Sequence, residues 1–164
     1  MKKLISLIPV LCLVACQQSQ KQYFEESPEI DIVKNAVQAV LRQDFESFRS
    51  IYADTAKIAY NTWDADKFIS LDEHIASEKA TFETFTDVKI ADGAVYCMVV
   101  NNKGEKWVLM WLKLLAKTKT GTPLTIAIHE GLRFENSKVV FHFAIYDNMP
   151  LVTALQPSDT TAKR

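Results

Sequence analysis

Cysteine is scarce here: Cys12, Cys16 and Cys97 are all that 164 residues contain. Two of the three fall in the first 16 residues, so the body of the chain has a single thiol and no intramolecular disulfide. Its stability must come from core burial. Cys97 sits in the apolar run Val95–Val100, the setting of a buried inert thiol rather than a nucleophile. Cys and His are nowhere spaced for zinc, and no cofactor is expected. Basic clusters are missing too, which excludes nucleic acid as a partner. The chain has no internal repeat and no low-complexity segment. Its one long apolar run, Leu4 to Ala15, is about 12 residues, whereas a spanning helix needs roughly 20.

That run carries an address. Lys2 and Lys3 precede it and Leu13-Val14-Ala15-Cys16 closes it, the form of a secretory signal peptide. The closing four residues resemble a bacterial lipobox, in which the cysteine thiol is acylated and the chain is cut just before it. Residues 1–16 are therefore expected to be a lipoprotein signal peptide, with Cys16 lipidated and membrane attachment through that lipid. Residues 17–27 begin Gln-Gln-Ser-Gln-Lys-Gln and read as a polar tether. Gln17, in place of an aspartate, favours the outer membrane facing the periplasm. Of the 19 lysines and arginines, Lys2 and Lys3 leave with the signal; the remaining 17 face 20 acidic residues, a formal charge of −3. An anionic bilayer does not attract such a surface, so anchoring rests on acyl chains contributing about 0.8 kcal/mol per buried methylene.

The 148 residues after Cys16 are enough for one domain. Ser27 can cap a helix with Pro28 at its first position, and Ile30, Val33, Val37, Val40 and Leu41 share one face. Asp44 can cap a second, shorter helix carrying Phe45, Phe48, Ile51 and Tyr52. A short strand to Tyr60 and a loop over 61–69 follow. Ser70-Leu71-Asp72-Glu73 has the capping-box form and opens another helix. From Thr86 the pattern is extended: segments 87–91, 94–100, 107–117, 124–134 and 139–146, separated by turn signals. Helices followed by an antiparallel meander is the α+β pattern. Residues 151–164 turn polar and read as a tail.

This order of elements resembles the nuclear transport factor 2-like superfamily, and local strings agree. Asp44–Asp54 (DFESFRSIYAD) is similar to the family's second-helix exit. Lys117–Pro123 (KTKTGTP) is similar to a hairpin of its SnoaL-like branch, His129–Phe134 (HEGLRF) to the strand after it, and Phe143–Asp147 (FAIYD) to its closing strand. The resemblance spans residues 28–150. It implies a cone-shaped fold, a curled antiparallel sheet packed on N-terminal helices, with a pocket inside the cone. The superfamily includes isomerases, dehydratases, cyclases and non-catalytic binding domains, so fold alone does not assign function.

In the last strand Val139, Phe141, Phe143, Ile145 and Asp147 share one face; Val140, His142, Ala144 and Tyr146 share the other. The resemblance implies that Phe143 points inward, which would carry Asp147 inward as well. Desolvation there would suit Asp147 to proton transfer; alternatively, Asp147 caps the turn into Asn148-Met149-Pro150. In SnoaL-like cyclases a His and an Asp of these late strands act together, which pairs His129 with Asp147. His129 is equally a buried, hydrogen-bonded core residue. The family's closing strand has tryptophan and aspartate where this chain has Phe143 and Ala144. Glu130 and Arg133 read as surface or hairpin partners, and His74 as a boundary residue of its helix.

Tyr60, Trp63 and Tyr96 are candidates for the pocket rim, and Trp107, Trp111 and Phe143 for its walls, an aromatic lining suited to a small hydrophobic ligand; the tryptophans also suit core packing. Both faces of the 107–117 strand are apolar, which argues for a helix, a ligand or a second copy on one of them. The leading expectation is a lipid-anchored binding domain for a small hydrophobic molecule or a protein partner, without catalysis. The alternatives are a SnoaL-like isomerase or cyclase using Asp147 and His129, and a structural envelope protein acting through an apolar sheet face.

Overall fold

A computed structural model describes residues 22–156. Helix α1 (Pro28–Leu41) starts where its cap predicts, with the Ser27 hydroxyl accepting from the Ile30 amide at 3.2 Å. Helix α2 (Phe45–Ser50) is capped by Asp44, which accepts from the Ser47 amide at 3.1 Å. Helix α3 (Leu71–Thr84) carries the full capping box: Ser70 accepts from the Glu73 amide, and the Glu73 carboxylate accepts from the Ser70 amide at 2.8 Å.

The strands are β1 (Tyr23–Phe24), β2 (Tyr52–Tyr60), β3 (Ile69–Ser70), β4 (Phe85–Ile90), β5 (Val95–Val100), β6 (Lys106–Thr118), β7 (Pro123–Glu135) and β8 (Lys138–Tyr146). They form one curled, unclosed sheet in the order β1-β5-β6-β7-β8-β2-β3, with β4 also pairing β6. The β2–β8 pair is parallel and carries a register shift between Tyr52 and Lys57. The β7–β8 turn places Asn136 and Ser137 at φ 48° and 62°, the left-handed pair that a two-residue hairpin requires.

The folded body extends beyond 28–150 at both ends. Tyr23 and Phe24, within the expected tether, pair with Val99 and Met98. Met149–Leu155 form helix α4, whose Leu151 and Ala154 pack on Leu124 and Ile126; buried apolar contacts hold a segment that its polar tail makes look loose. The expected signal segment, Cys16 and residues 157–164 lie outside the described residues. No helix among the described residues is long and apolar enough to cross a membrane.

Helices α1, α2 and α3 fill the concave side of the sheet. Ile30 and Val33 of α1, Phe48 of α2, and Leu71 and Ile75 of α3 join Ile58, Val108, Met110, Leu112 and Leu132 in the core. Strands β6, β7 and β8 turn their even-numbered residues to this side, as the lining of the cavity there records.

Candidate functional site

The cone encloses a cavity of about 210 Å³. Its walls are apolar: Val37 and Val40 of α1, Phe82 of α3, Leu112 and Leu114 of β6, and Ile126 and Ile128 of β7. Most of its polar groups belong to one cluster, made of Tyr52, Tyr60, His74, Glu78, Glu130 and His142.

Each is placed by its element. Glu78 lies one helical turn beyond His74 on α3, so both side chains leave the same face. Glu130 pairs with Ala144 across β7–β8, and Leu132 pairs with His142, which makes Glu130 and His142 diagonal neighbours on the inner face. His142 pairs with Ile58 and Ala144 with Tyr60 along the parallel β2–β8 ladder.

The cluster is one hydrogen-bonded chain. Glu130 Oε2 lies 2.9 Å from His142 Nε2, and His142 Nδ1 lies 3.0 Å from the Tyr52 hydroxyl. That hydroxyl is 3.4 Å from His74 Nε2, a long contact, while His74 Nδ1 is 2.5 Å from the Tyr60 hydroxyl. Tyr60 reaches Glu78 Oε1 at 3.5 Å. His74 is 1% exposed and His142 4%.

Burial in this apolar setting penalises charge. It pushes the His74 imidazole down to about 2, with the nearby His142 adding to the fall, so His74 is neutral. It pushes the Glu78 carboxyl up to about 7; the Glu130 carboxylate adds to the rise, while His142 and the Tyr60 hydroxyl oppose it. Tyr52 and Tyr60 are held far above the usual phenol range by burial and then by the two carboxylates. The cone thus holds a carboxyl poised near neutrality, flanked by neutral hydroxyls and the neutral His74 imidazole.

Of the residues read from the sequence, Tyr60 lines the cavity. Asp147 and His129 do not meet inside it. Asp147 is exposed at the end of β8 and accepts from the Met149 amide at 2.9 Å, the turn-capping arrangement. His129 is on the outer face, stacked on Trp111 with ring centroids 4.7 Å apart and bonded through Nδ1 to the Met110 carbonyl oxygen. The alternation along β8 holds, but the helices cover the His142–Ala144–Tyr146 side, so Phe143 and its odd-numbered companions face outward.

Trp107, Trp111 and Phe143 belong to that outer face as well, and Trp63 folds over it, 5.2 Å from Phe143 and 6.0 Å from Phe141. These residues pack on one another instead of walling the cone. Tyr96 shares the inner face with its partner Met110 but stands outside the cavity lining, beneath the Lys34 ammonium. Cys97 is buried. Among the described residues no three His, Cys, Asp or Glu side chains converge to hold a metal ion.

Glu130, read as a surface or hairpin partner, and His74, read as a boundary residue of its helix, belong instead to this inner cluster. Strand β7 turns its even-numbered residues to the cavity, and α3 packs His74 against the sheet. Tyr52, Glu78 and His142 are not among the sequence candidates for the site. The legible signal was Glu130, a lone acid in the β7 stripe Leu124, Ile126, Ile128, Leu132 and Phe134.

No family model and no curated protein matches the sequence. Solved structures do match. An NTF2-like protein of unknown function from Burkholderia pseudomallei superposes with a TM-score of 0.63 at 15% identity, covering 80% of this chain and 100% of that one. IdmH from Streptomyces antibioticus, whose proposed role is polyketide cyclase, gives a TM-score of 0.61 at 18% identity over 79% and 99%. A Catenulispora acidiphila protein with a ketosteroid isomerase-like fold, solved with trimethylamine, gives 0.59 at 16% identity over 83% and 99%.

Proposed function

We infer that this chain, whose fold is the nuclear transport factor 2-like cone of these structures, is a small-molecule-binding domain. We propose that the cone binds one small, mostly apolar molecule, its hydrocarbon body against Leu112, Leu114, Ile126 and Ile128 and a hydrogen-bonding group against Glu78 and Glu130. The observation that carries this reading is the division of the cavity into apolar walls and one polar cluster, the usual plan of a small-molecule site. The volume of about 210 Å³ lies below the roughly 300–1,000 Å³ of pockets for drug-sized ligands, so the occupant is small. Native mass spectrometry of the gently purified protein, with organic extraction of what it carries, tests the reading.

A second reading is acid–base chemistry on that molecule, in the isomerase or cyclase sense. It draws support from Glu78, whose carboxyl is pushed up to about 7, where a group can both take and give a proton. The acid–base residues are then Glu78 and Glu130, in place of Asp147 and His129. The proposed role of IdmH is an analogy in the same direction.

We place the protein in the cell envelope, held to a membrane by lipid on Cys16 and facing the periplasm from the outer membrane. The support is the sequence Leu13-Val14-Ala15-Cys16-Gln17. On the outer sheet face Trp63, Val95, Trp111 and Ile145 are exposed, the place where a second copy of the chain would pack.

A further inference from the structure

Tyr52 has one hydroxyl proton and stands between two imidazole nitrogens, His142 Nδ1 and His74 Nε2. If one nitrogen accepts that proton, the other must supply its own. With neutral rings this ties the two histidines to the same tautomer, both Nε2–H or both Nδ1–H.

The constraint extends along all five hydrogen bonds of the chain. In one arrangement the protonated Glu78 donates to the Tyr60 oxygen, and Tyr60 O–H donates to His74 Nδ1. His74 Nε2–H then donates to the Tyr52 oxygen, Tyr52 O–H to His142 Nδ1, and His142 Nε2–H to the Glu130 carboxylate. In the other arrangement every donor is reversed: the proton sits on Glu130, and Tyr60 donates to the Glu78 carboxylate. Both supply one donor and one acceptor to each of the five hydrogen bonds, and they differ in which carboxyl is protonated and in the tautomer of both imidazoles. Among the described residues no lysine or arginine lines the cavity to offset two ionised carboxylates. The other titratable groups in reach, Tyr96 of β5 and Tyr146 of β8, are raised by burial and by Glu130, and Tyr146 also by Glu78.

We propose that Glu78 and Glu130 form a single acid–base unit holding one proton, passed between them through Tyr60, His74, Tyr52 and His142. This rests on the reading of the cone as a ligand site and gives that site a chemistry. Both carboxyl groups line the cavity. A bound molecule with an acidic hydrogen and a proton-accepting oxygen gives its proton to the ionised carboxylate and takes one from the protonated carboxyl. It leaves as an isomer with unchanged composition, and no oxidant or reductant takes part. The exchange leaves the proton on the opposite carboxyl, the end state that the reversed arrangement of the five hydrogen bonds accommodates. Tyr52 and His74 are positioning residues in this scheme: they carry the proton between the two carboxyl groups and exchange none with the molecule that changes.

Histidine labelled with ¹⁵N reports tautomers directly in long-range proton–nitrogen spectra. The chain has three histidines, and His129 on the outer face serves as an internal reference. His74 and His142 are expected to show equal tautomer populations that change together with pH, and Tyr52→Phe to uncouple them. Opposite tautomers in the wild-type protein, or a change in one ring alone, would overturn the proposal. If Tyr52→Phe fails to fold, the double variant Glu78→Gln/Glu130→Gln replaces it. With no carboxyl left to titrate, the tautomers should stop responding to pH; an unaltered response overturns the relay. Coupled tautomers in a protein that binds nothing would refute the ligand reading alone. Uncoupled tautomers in a protein that binds would refute the relay alone.

Discussion

His74 and His142 meet edge to face inside the cone, their ring centroids 5.2 Å apart and their planes at 80°. One comes from a helix and the other from the last strand of the sheet, and Tyr52 bridges them. Their contact joins the helical layer to the sheet through polar groups in an otherwise apolar interior. A buried network of this kind is favourable only when every member is satisfied.

Removing the bridge should therefore cost more than the loss of one hydrogen bond. Tyr52→Phe keeps the ring but leaves the buried His74 Nε2 and His142 Nδ1 without that partner. The expected loss is about 1–3 kcal/mol, read as a lower urea midpoint at unchanged slope. A loss below the uncertainty of the fit would mean that water or a neighbour replaces the hydroxyl.

The two perturbed ends give opposing pH dependences. Glu78 is raised to about 7 from 4.5, so the folded state holds a proton that the unfolded state releases. Its contribution grows as pH falls from about 7 to 4.5. His74 is lowered to about 2 from 6.5, so the unfolded state binds the extra proton, and stability is lost as pH falls through that window. The two slopes cancel between about 4.5 and 6.5 and leave the histidine loss below. Thermal melts in Glu78→Gln should show decline beginning near 6.5 instead of near 4.5. Identical profiles for the variant and the wild type would contradict the assignment.

On the outer face, Gly131 has a packing role. A Cβ there would fall inside contact distance of the Phe143 ring and 3.1 Å from Leu109 Cδ2. Gly131→Ala should cost about 1–3 kcal/mol by overpacking. Phe143→Leu in the same chain should recover part of that cost. Additive losses in the double-mutant cycle would show that the ring does not depend on the missing side chain.

Helix starts were legible because capping is local. Ser27, Asp44 and Ser70 each accept from the amide three residues ahead. Strand alternation was legible too, and the split of β8 into two faces holds. Which face turns inward was not. Odd and even residues of β6 and β8 are both apolar, since Trp107, Trp111, Phe141 and Phe143 cover the outside while Met110, Leu112 and Ala144 line the inside. The choice is made by helices docking from far along the chain. The same blindness hid the polar cluster, whose members lie on α3, β2, β7 and β8 and meet only after the sheet curls. Glu130 could have been found, because an acid in the middle of an apolar stripe is costly unless paired.

The membrane address stands on the N-terminal sequence. Cys16→Ser should move the protein from the membrane fraction to the soluble periplasmic extract and abolish incorporation of labelled palmitate. An unchanged distribution would contradict lipid anchoring through this residue.

Whether the cone is a working pocket is tested most directly by native mass spectrometry of wild-type and Ala36→Trp protein. Ala36 lines the cavity and is 4% exposed, so an indole at that position fills the space a ligand would occupy. One small molecule per chain is expected in the wild type and none in a still-folded Ala36→Trp variant. An empty wild-type cone, or a ligand retained equally by the filled variant, would contradict that expectation.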